Sequence, residues 1–182
     1  MSLTSVPQTV EARWSRRVVG FSLIELMVTL AVAAILMAIA TPSFIALING
    51  NRLTSTANEL VSSLQLARSE ALRRNTQVRV CRSESGNTCA AAGQWSRWIT
   101  LVVSNNEVLR EVSVKAPLEV TSDAPQITYH ADGLARTGGG LQNNDLIVCI
   151  PTTQPAENQR EVNLLAGSSV AVSRKDGGGS CP

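Results

Sequence analysis

The chain has 182 residues, which suits one domain or one domain with an appendage. Its 16 Lys and Arg residues nearly balance 14 Asp and Glu residues, and the formal net charge of +2 disfavours a general nucleic-acid coat protein. With 44% apolar, 16% charged and 3% aromatic residues, the chain is not a disordered polyelectrolyte, and its core must consist mainly of Val, Leu, Ile and Ala.

An N-terminal apolar run is long enough to cross a membrane. Between Phe21 and Ile48 the sequence has one acidic residue and no basic residue. The 23 residues from Leu26 to Ile48 correspond to a helix of about 34 Å, against about 30 Å of bilayer hydrocarbon. A basic cluster precedes the run, formed by Arg13, Arg16 and Arg17 and opposed only by Glu11. The positive-inside rule then keeps the N-terminus in the cytoplasm and exports the rest of the chain.

A cleaved secretory signal peptide is the alternative interpretation of this run. Such a peptide has about 7–15 apolar residues followed by a small-x-small cleavage site. Here the apolar run is longer, and the residues that follow it at positions 49–52 read NGNR, which is not such a site. The sequence therefore predicts a membrane-spanning segment.

Two residues within the run are unusual there. Glu25 places a carboxylate among apolar residues, at a cost of at least about 2.5–3.5 kcal/mol unless it has a partner. It is either an interfacial residue at the membrane edge or a charge that neutralises a positive group between packed helices. Pro42 removes a backbone donor, which predicts a kink or local melting, although transmembrane helices also tolerate proline.

The segment from Gly20 to Leu26 reads GFSLIEL and, with the preceding bases and the following apolar helix, resembles the prepilin cleavage motif of type IV pilins and pseudopilins. The resemblance implies that prepilin peptidase cuts after Gly20 on the cytoplasmic side and leaves Phe21 as an N-methylated N-terminus. Glu25 is then the fifth mature residue, paired during assembly with an N-terminal ammonium. The 20-residue leader is longer than many leaders in that family.

After Asn51 the pattern becomes amphipathic and predicts that the helix continues to about Asn75. Apolar residues recur at spacings of three and four and form one stripe that packs against a sheet: Leu53, Ala57, Leu60, Val61, Leu64, Ala67, Ala71 and Leu72. The segments NRL at 51–53 and ARSEA at 67–71 resemble the same helix in the GspH/FimT (FimU-like) group of minor pilins. With the prepilin motif, the resemblance covers about residues 20–80.

From Gln77 onward, β-branched residues and frequent turns predict an antiparallel sheet. The candidate strands are 77–82, 98–104, 107–114, 118–121, 126–130, 146–150, 161–165 and 169–174. Asn105-Asn106 is typical of a hairpin turn, and 132–133 and 137–140 mark further turns. The fold class is α+β, the type IV pilin fold that the resemblance implies, with a leader at 1–20, a transmembrane half-helix at 21–48 and a periplasmic head at 49–182.

Four cysteines lie in the exported part, where an oxidising compartment favours disulfides, and they allow three pairings. Cys81 and Cys89 flank a short glycine-containing loop, so a local bridge is favoured. Cys149 with Cys181 then ties the C-terminal tail to a strand. A zinc site is disfavoured, because no pair has the Cys-x₂₋₄-Cys spacing and the only histidine is His130.

Catalysis finds no support in the sequence. His130 lies in a candidate strand before a turn, a position typical of a structural histidine. The serines lack a nucleophile-elbow context, and the glycine-rich stretch at 137–140 lacks the Lys-Ser/Thr pair of a phosphate loop. We therefore expect neither enzymatic activity nor a cofactor.

DNA binding is a rival function, since some FimT-type minor pilins take up DNA and that resemblance implies a C-terminal Gly-Arg-x-Arg motif. The matching stretch at 167–170 reads GSSV and has no arginine, which leaves a small patch of Arg136, Arg174 and Lys175. Removing residues 1–20 leaves 13 basic and 13 acidic residues, so the mature chain lacks a broad electrostatic footprint for phosphate. DNA binding is not favoured.

The sequence thus favours a minor type IV pilin, located in the inner membrane before assembly and in an extracellular pilus afterwards. The expected partners are other major and minor pilins, the inner membrane, prepilin peptidase and the pilus assembly platform. An H-type pseudopilin of the type II secretion system is the closest alternative, and Pro42 with the helix sequence favours the pilus.

Overall fold

A computed structural model describes residues 20–182. The basic cluster Arg13, Arg16 and Arg17 and most of the expected leader lie outside the described residues. The chain divides into two compact units, one that ends at Ile39 and one formed by Ala40–Pro182. Nearly all tertiary structure described below belongs to the second unit.

One helix, α1, covers Leu23–Arg74, and local sequence signals set both of its ends. At its start, the Ser22 hydroxyl accepts a hydrogen bond from the Glu25 amide at 3.2 Å, as an N-cap residue does. At its end, Asn75 adopts a positive φ of 50°, and the Thr76 amide donates to the Ala71 carbonyl at 3.3 Å. This is the Schellman arrangement, so the predicted stop at Asn75 is confirmed.

The helix continues through Pro42, so of the two alternatives predicted there local melting is wrong, and the kink stays a prediction. A proline removes its own amide from the ladder of hydrogen bonds and crowds the carbonyl four residues earlier, yet the apolar turns on both sides remain helical. A helix can therefore accommodate this residue without losing a turn.

Ten strands follow, within one residue or two of most of the predicted boundaries. They are β1 Val78–Arg82, β2 Arg97–Val102, β3 Val108–Ser113, β4 Glu119–Ser122, β5 Gln126–Tyr129, β6 Arg136–Thr137, β7 Gly140–Leu141, β8 Asn144–Cys149, β9 Gln159–Leu165 and β10 Ser169–Lys175. Asn106 has a positive φ of 55° between β2 and β3, as the predicted hairpin requires. The sequence predicted only a turn where β6 and β7 lie, because a two-residue strand is too short to show an alternation of apolar and polar residues.

The strands form two four-stranded antiparallel sheets, in the orders β3-β2-β1-β5 and β10-β9-β8-β4, and the hairpin β6-β7. The sequence predicted a single antiparallel sheet. Strand periodicity reports which side chains are buried and not which strands are neighbours, so it cannot detect this division. The α+β class itself is confirmed.

A core cluster joins the helix stripe to both sheets. The completely buried apolar residues of the helix are Leu53, Leu60, Leu64, Ala67 and Ala71. They pack in one cluster with Val78, Trp98, Ile127, Leu146 and Leu164. Leu72, which the stripe prediction placed inside, is 50% exposed. Its methyl groups lie about 3.1 Å from the point where Gly133 would carry a Cβ, so Leu72 covers the turn after β5 and not the core.

A buried hydrogen bond connects α1 to the first sheet. The Trp98 indole Nε1 donates to the Ser63 hydroxyl at 3.0 Å, and both residues are fully buried. The Ser63 hydroxyl donates in turn to the Glu59 carbonyl at 2.9 Å. The apolar stripe did not predict that Ser63 is buried, because apolar periodicity does not detect a polar residue. Ser63 is buried where its hydroxyl accepts the hydrogen bond of the Trp98 indole.

We expect Ser63→Ala to lower the free energy of unfolding of the head by about 1–3 kcal/mol, because it leaves a buried donor without an acceptor. The measurement is urea unfolding of residues 50–182, a fragment that retains the core cluster, which begins at Leu53. Ser69→Ala is the matched control, since Ser69 is an exposed helix serine that bonds only to the Leu66 carbonyl. Equal stability of the two variants contradicts the prediction.

Candidate functional site

The N-terminal motif forms an accessible start to the long helix. The Phe21 side chain is 80% exposed, and a Cβ added at Gly20 would meet no atom within 4 Å among the described residues. Glu25 lies in the first helical turn, where its carboxylate faces the positive end of the helix dipole. The spacing Ser-x-x-Glu at 22–25 is a capping pattern, and it is the sequence signal for the N-cap role of Ser22.

The apolar residues of the first half of α1 are not covered by the protein. Large exposed side chains include Phe21, Leu23, Ile24, Leu26, Met27, Val28, Leu30, Ile35, Leu36, Ile39, Phe44 and Leu47. Among the described residues, α1 is the one helix that is long and apolar enough to cross a membrane, and its most apolar window is not buried at all. A surface of this kind requires lipid or other protein around it.

Two disulfides stabilise the head, Cys81–Cys89 and Cys149–Cys181, and this is the pairing favoured from the sequence. Arg82 holds the part of the β1–β2 loop that follows Cys89. Its guanidinium donates to the carbonyls of Ala90 at 3.2 Å and Gly93 at 2.9 Å, and also to the carbonyl of Ala91. The loop between β1 and β2 therefore has a fixed shape although it has no regular structure.

The C-terminal tail is held by buried amides as well as by its disulfide. The Asn158 Nδ2 donates to the carbonyls of Ile150 at 2.9 Å and Ser180 at 3.2 Å, and its Oδ1 accepts from the Gly177 amide at 2.8 Å. The Gln159 Nε2 donates to the same Ser180 carbonyl at 3.0 Å. No sequence pattern indicated these two residues, since their partners in the tail, Gly177 and Ser180, are about twenty residues away along the chain.

We expect replacement of both Cys149 and Cys181 by alanine to cost roughly 3–4 kcal/mol of unfolding free energy, because this bridge spans 32 residues. Replacing Cys81 and Cys89 opens a bridge that spans 8 residues, and the expected cost is smaller, about 2–3 kcal/mol. Urea unfolding of the two double variants measures the difference. The reverse order of stability contradicts the loop-length argument.

The three basic residues considered for DNA are all near acidic partners. The distances between nitrogen and carboxylate oxygen are 2.8 Å for Arg136 with Asp132, 3.5 Å for Arg174 with Glu157 and 2.7 Å for Lys175 with Glu161. The Arg136 hydrogen bond lowers the pKa of Asp132, which therefore remains a charged partner at neutral pH. These pairs reduce the positive potential that a phosphate backbone would meet.

These basic residues do not converge on one patch. In the backbone register of strands β9 and β10, Arg174 lies opposite Arg160 and Lys175 lies opposite Gln159, at one end of the strand pair. Arg136 follows Ala135, whose amide donates to the Gly167 carbonyl at 2.7 Å in the turn at the opposite end. A seven-residue strand of about 20 Å separates the two ends.

His130 takes part in local structure. Its backbone amide donates to the Leu134 carbonyl at 3.0 Å across the turn after β5, and its Nδ1 lies 3.4 Å from the Gln77 Nε2. Within residues 20–182, no three His, Cys, Asp or Glu side chains cluster as metal ligands would.

Two models of protein families match the chain. The family model described as type II transport protein GspH matches residues 56–168, and the model of the prokaryotic N-terminal methylation motif matches residues 17–41. The chain belongs to the GspH family. In pilin and pseudopilin families of this kind the proteins are structural subunits.

Two solved structures with TM-scores above 0.5 share this fold. Two crystal forms of the type IV minor pilin FimU from Pseudomonas aeruginosa are similar. One is 18% identical with a TM-score of 0.53, covering 68% of this chain and 89% of that chain. The other is 17% identical with a TM-score of 0.51, covering 66% and 92%. The minor pseudopilin EpsH of the Vibrio cholerae type 2 secretion system is 14% identical with a TM-score of 0.49, covering 68% and 97%. A comparison with curated proteins finds no significant match.

Proposed function

We propose that this GspH-family protein is a minor subunit of a type IV pilus, cleaved after Gly20 and N-methylated at Phe21. The exposed apolar half of α1 anchors the subunit in the inner membrane with its head in the periplasm. The same surface then packs among the helices of other pilins when the subunit leaves the membrane. The subunit has no catalytic role and needs no cofactor.

The observation that carries this proposal is the contrast between the two halves of one helix. From Leu53 onward the apolar stripe is buried in the head, whereas the large apolar side chains before Ile48 are exposed. A head with its own complete core, attached to an uncovered apolar helix, suits a subunit that is first a membrane protein and then a fibre component.

Glu25 has a specific part in this proposal. It is the only charged residue between Phe21 and Ile48, and burial in lipid or among helices is costly unless a cation is near. Cleavage after Gly20 creates such a cation at the amino group of Phe21. We therefore assign Glu25 to subunit recruitment. The proposed partners of the protein are major and minor pilins, prepilin peptidase and the assembly platform.

A pseudopilin role in type II secretion is the second candidate, and the family description itself favours it. Deletion of the gene distinguishes the two when surface pili, twitching motility, transformation and protein secretion are scored in parallel. A pilus subunit affects pili and twitching and leaves secretion unchanged. A pseudopilin shows the opposite pattern.

DNA uptake is not part of the proposed function. The three candidate basic residues have acidic partners and lie at opposite ends of a strand pair, and the turn at Gly167 carries no arginine. Normal transformation in the deletion strain is the expected result. Loss of transformation with normal pili would favour the DNA-binding alternative.

A further inference from the structure

A cavity of about 250 Å³ lies between α1 and the residues that follow β8, within the second compact unit. One wall is the segment 46–54 of α1, and the other consists of Pro155, Glu157, Arg160 and Arg174. The Asn49 Nδ2 donates to the Gln154 carbonyl at 2.8 Å and so fixes the loop after β8 against the helix. The cavity is therefore a built feature of the fold.

Arg160 is a buried cation without a carboxylate partner. The residue is 5% exposed, yet no carboxylate of the described residues lies within salt-bridge distance of its guanidinium. Its Nη1 donates to the backbone carbonyls of Glu157 and Gln159 at 2.9 Å, and its Nε lies 3.4 Å from the Thr54 hydroxyl. Buried charges in proteins are normally paired, so this one lacks an anion.

Arg174 brings a second guanidinium to the same cavity. Its Nη1 is 3.5 Å from the Glu157 carboxylate, which is a long contact, and its side chain is mostly exposed. Burial, followed by the nearby Arg174, lowers the pKa of Arg160. Glu157 is the one carboxylate among the residues that line the cavity, against the two guanidinium groups of Arg160 and Arg174, so the cavity retains an excess positive charge.

The position of the cavity along the helix indicates the source of the missing anion. Ala46 and Leu47 line it from within the apolar run, which ends at Ile48, and Gly50 and Asn51 line it from the first polar turn. If residues 26–48 span the bilayer, the cavity lies where hydrocarbon gives way to headgroups. Phospholipid phosphates are the anions found at that depth.

We propose that this cavity binds the phosphate of a phospholipid headgroup between Arg160 and Arg174. The planar guanidinium presents paired N–H donors that match two phosphate oxygens, and the preorganised Arg160 has little side-chain freedom to lose. Arg174 exchanges its long contact with Glu157 for the phosphate. Of the steps in the proposed function, this inference depends only on membrane anchoring. Lipid binding can therefore fail while the proposed role in pilus assembly remains valid.

The test uses the full-length protein in dodecyl maltoside, with phosphatidylglycerol binding followed by native mass spectrometry. Diacylglycerol with the same acyl chains is the matched ligand without phosphate. We expect a phosphatidylglycerol adduct and no diacylglycerol adduct. Arg174→Gln should weaken phosphatidylglycerol binding about tenfold or more, because a charge-assisted contact is lost.

Lys175→Gln is the matched control, since it removes the same charge one residue further along β10, where the side chain points to the opposite face. It should bind phosphatidylglycerol like the wild type. Arg160→Gln is the second variant and should also weaken binding, with urea unfolding used to verify that its head is folded. Equal binding by Arg174→Gln and Lys175→Gln overturns the proposal.

Two further results would also overturn it. Inorganic phosphate that binds as tightly as phosphatidylglycerol would make free phosphate the ligand. The second result is that no lipid adduct forms and that Arg174→Gln instead reduces cross-links between neighbouring subunits in fibres. In that case an acidic side chain of another subunit occupies the cavity. Weak competition by inorganic phosphate, at concentrations far above those of the lipid, is the expected result.

Discussion

Gly20→Arg is expected to leave essentially all of the protein as the unprocessed precursor in the inner membrane. The space around Gly20 is open, so an arginine there meets no steric obstacle among the described residues. A failure of processing must therefore arise in recognition by the peptidase and not in folding of the substrate. Immunoblotting of membrane fractions, with intact mass measurement, resolves the precursor from the mature chain.

Gly20→Ala provides the matched comparison, since it adds only a methyl group to the same open position. We expect it to be processed more than Gly20→Arg and to form both disulfides, as Gly20→Arg also does. If Gly20→Arg matures normally, Gly20 is not part of the cleavage site and the N-terminal motif has another meaning.

Glu25→Ala is expected to give a stable, cleaved and disulfide-bonded subunit whose incorporation into fibres falls at least about tenfold. A carboxylate among apolar helices costs at least about 2.5–3.5 kcal/mol without a partner, so its pairing with an N-terminal ammonium is worth a comparable amount. The substitution removes both the cost and the pairing. Insertion of the monomer therefore remains normal, whereas the charge match that sets the register between subunits is lost.

The capping contact offers a control that the sequence alone did not suggest. Ser22→Ala removes the hydroxyl that accepts from the Glu25 amide but leaves the carboxylate in place. If helix fraying were the cause of poor incorporation, Ser22→Ala would reproduce the defect of Glu25→Ala. We expect Ser22→Ala to enter fibres nearly as well as wild type, and Glu25→Gln to fail like Glu25→Ala. Wild-type incorporation of Glu25→Ala would leave Glu25 as a plain interfacial residue.

The sequence predicted those features that depend on neighbouring residues. The helix end at Asn75 and the hairpin turn at Asn106 follow from the tolerance of asparagine for positive φ. The stripe from Leu53 to Ala71 follows from helical periodicity, and the strands from β-branched composition. All of these signals lie within a few positions of the structure that they determine.

Features that depend on distant contacts were not predictable in this way. Ser63 is buried because Trp98, on another element, needs an acceptor. The cavity around Arg160 exists because the loop after β8 returns to the helix near Asn49, 105 residues earlier in the chain. Nothing near Arg160 in the sequence distinguishes it from an exposed strand arginine, and the division into two sheets is hidden for the same reason.

We expect this GspH-family subunit to be cut between Gly20 and Phe21 before it is assembled. The most direct measurement is the intact mass of the protein from sheared surface fibres and from the inner membrane. We expect the mass of residues 21–182 with one added methyl group and two disulfides. Assembled protein that still carries residues 1–20 would contradict the account.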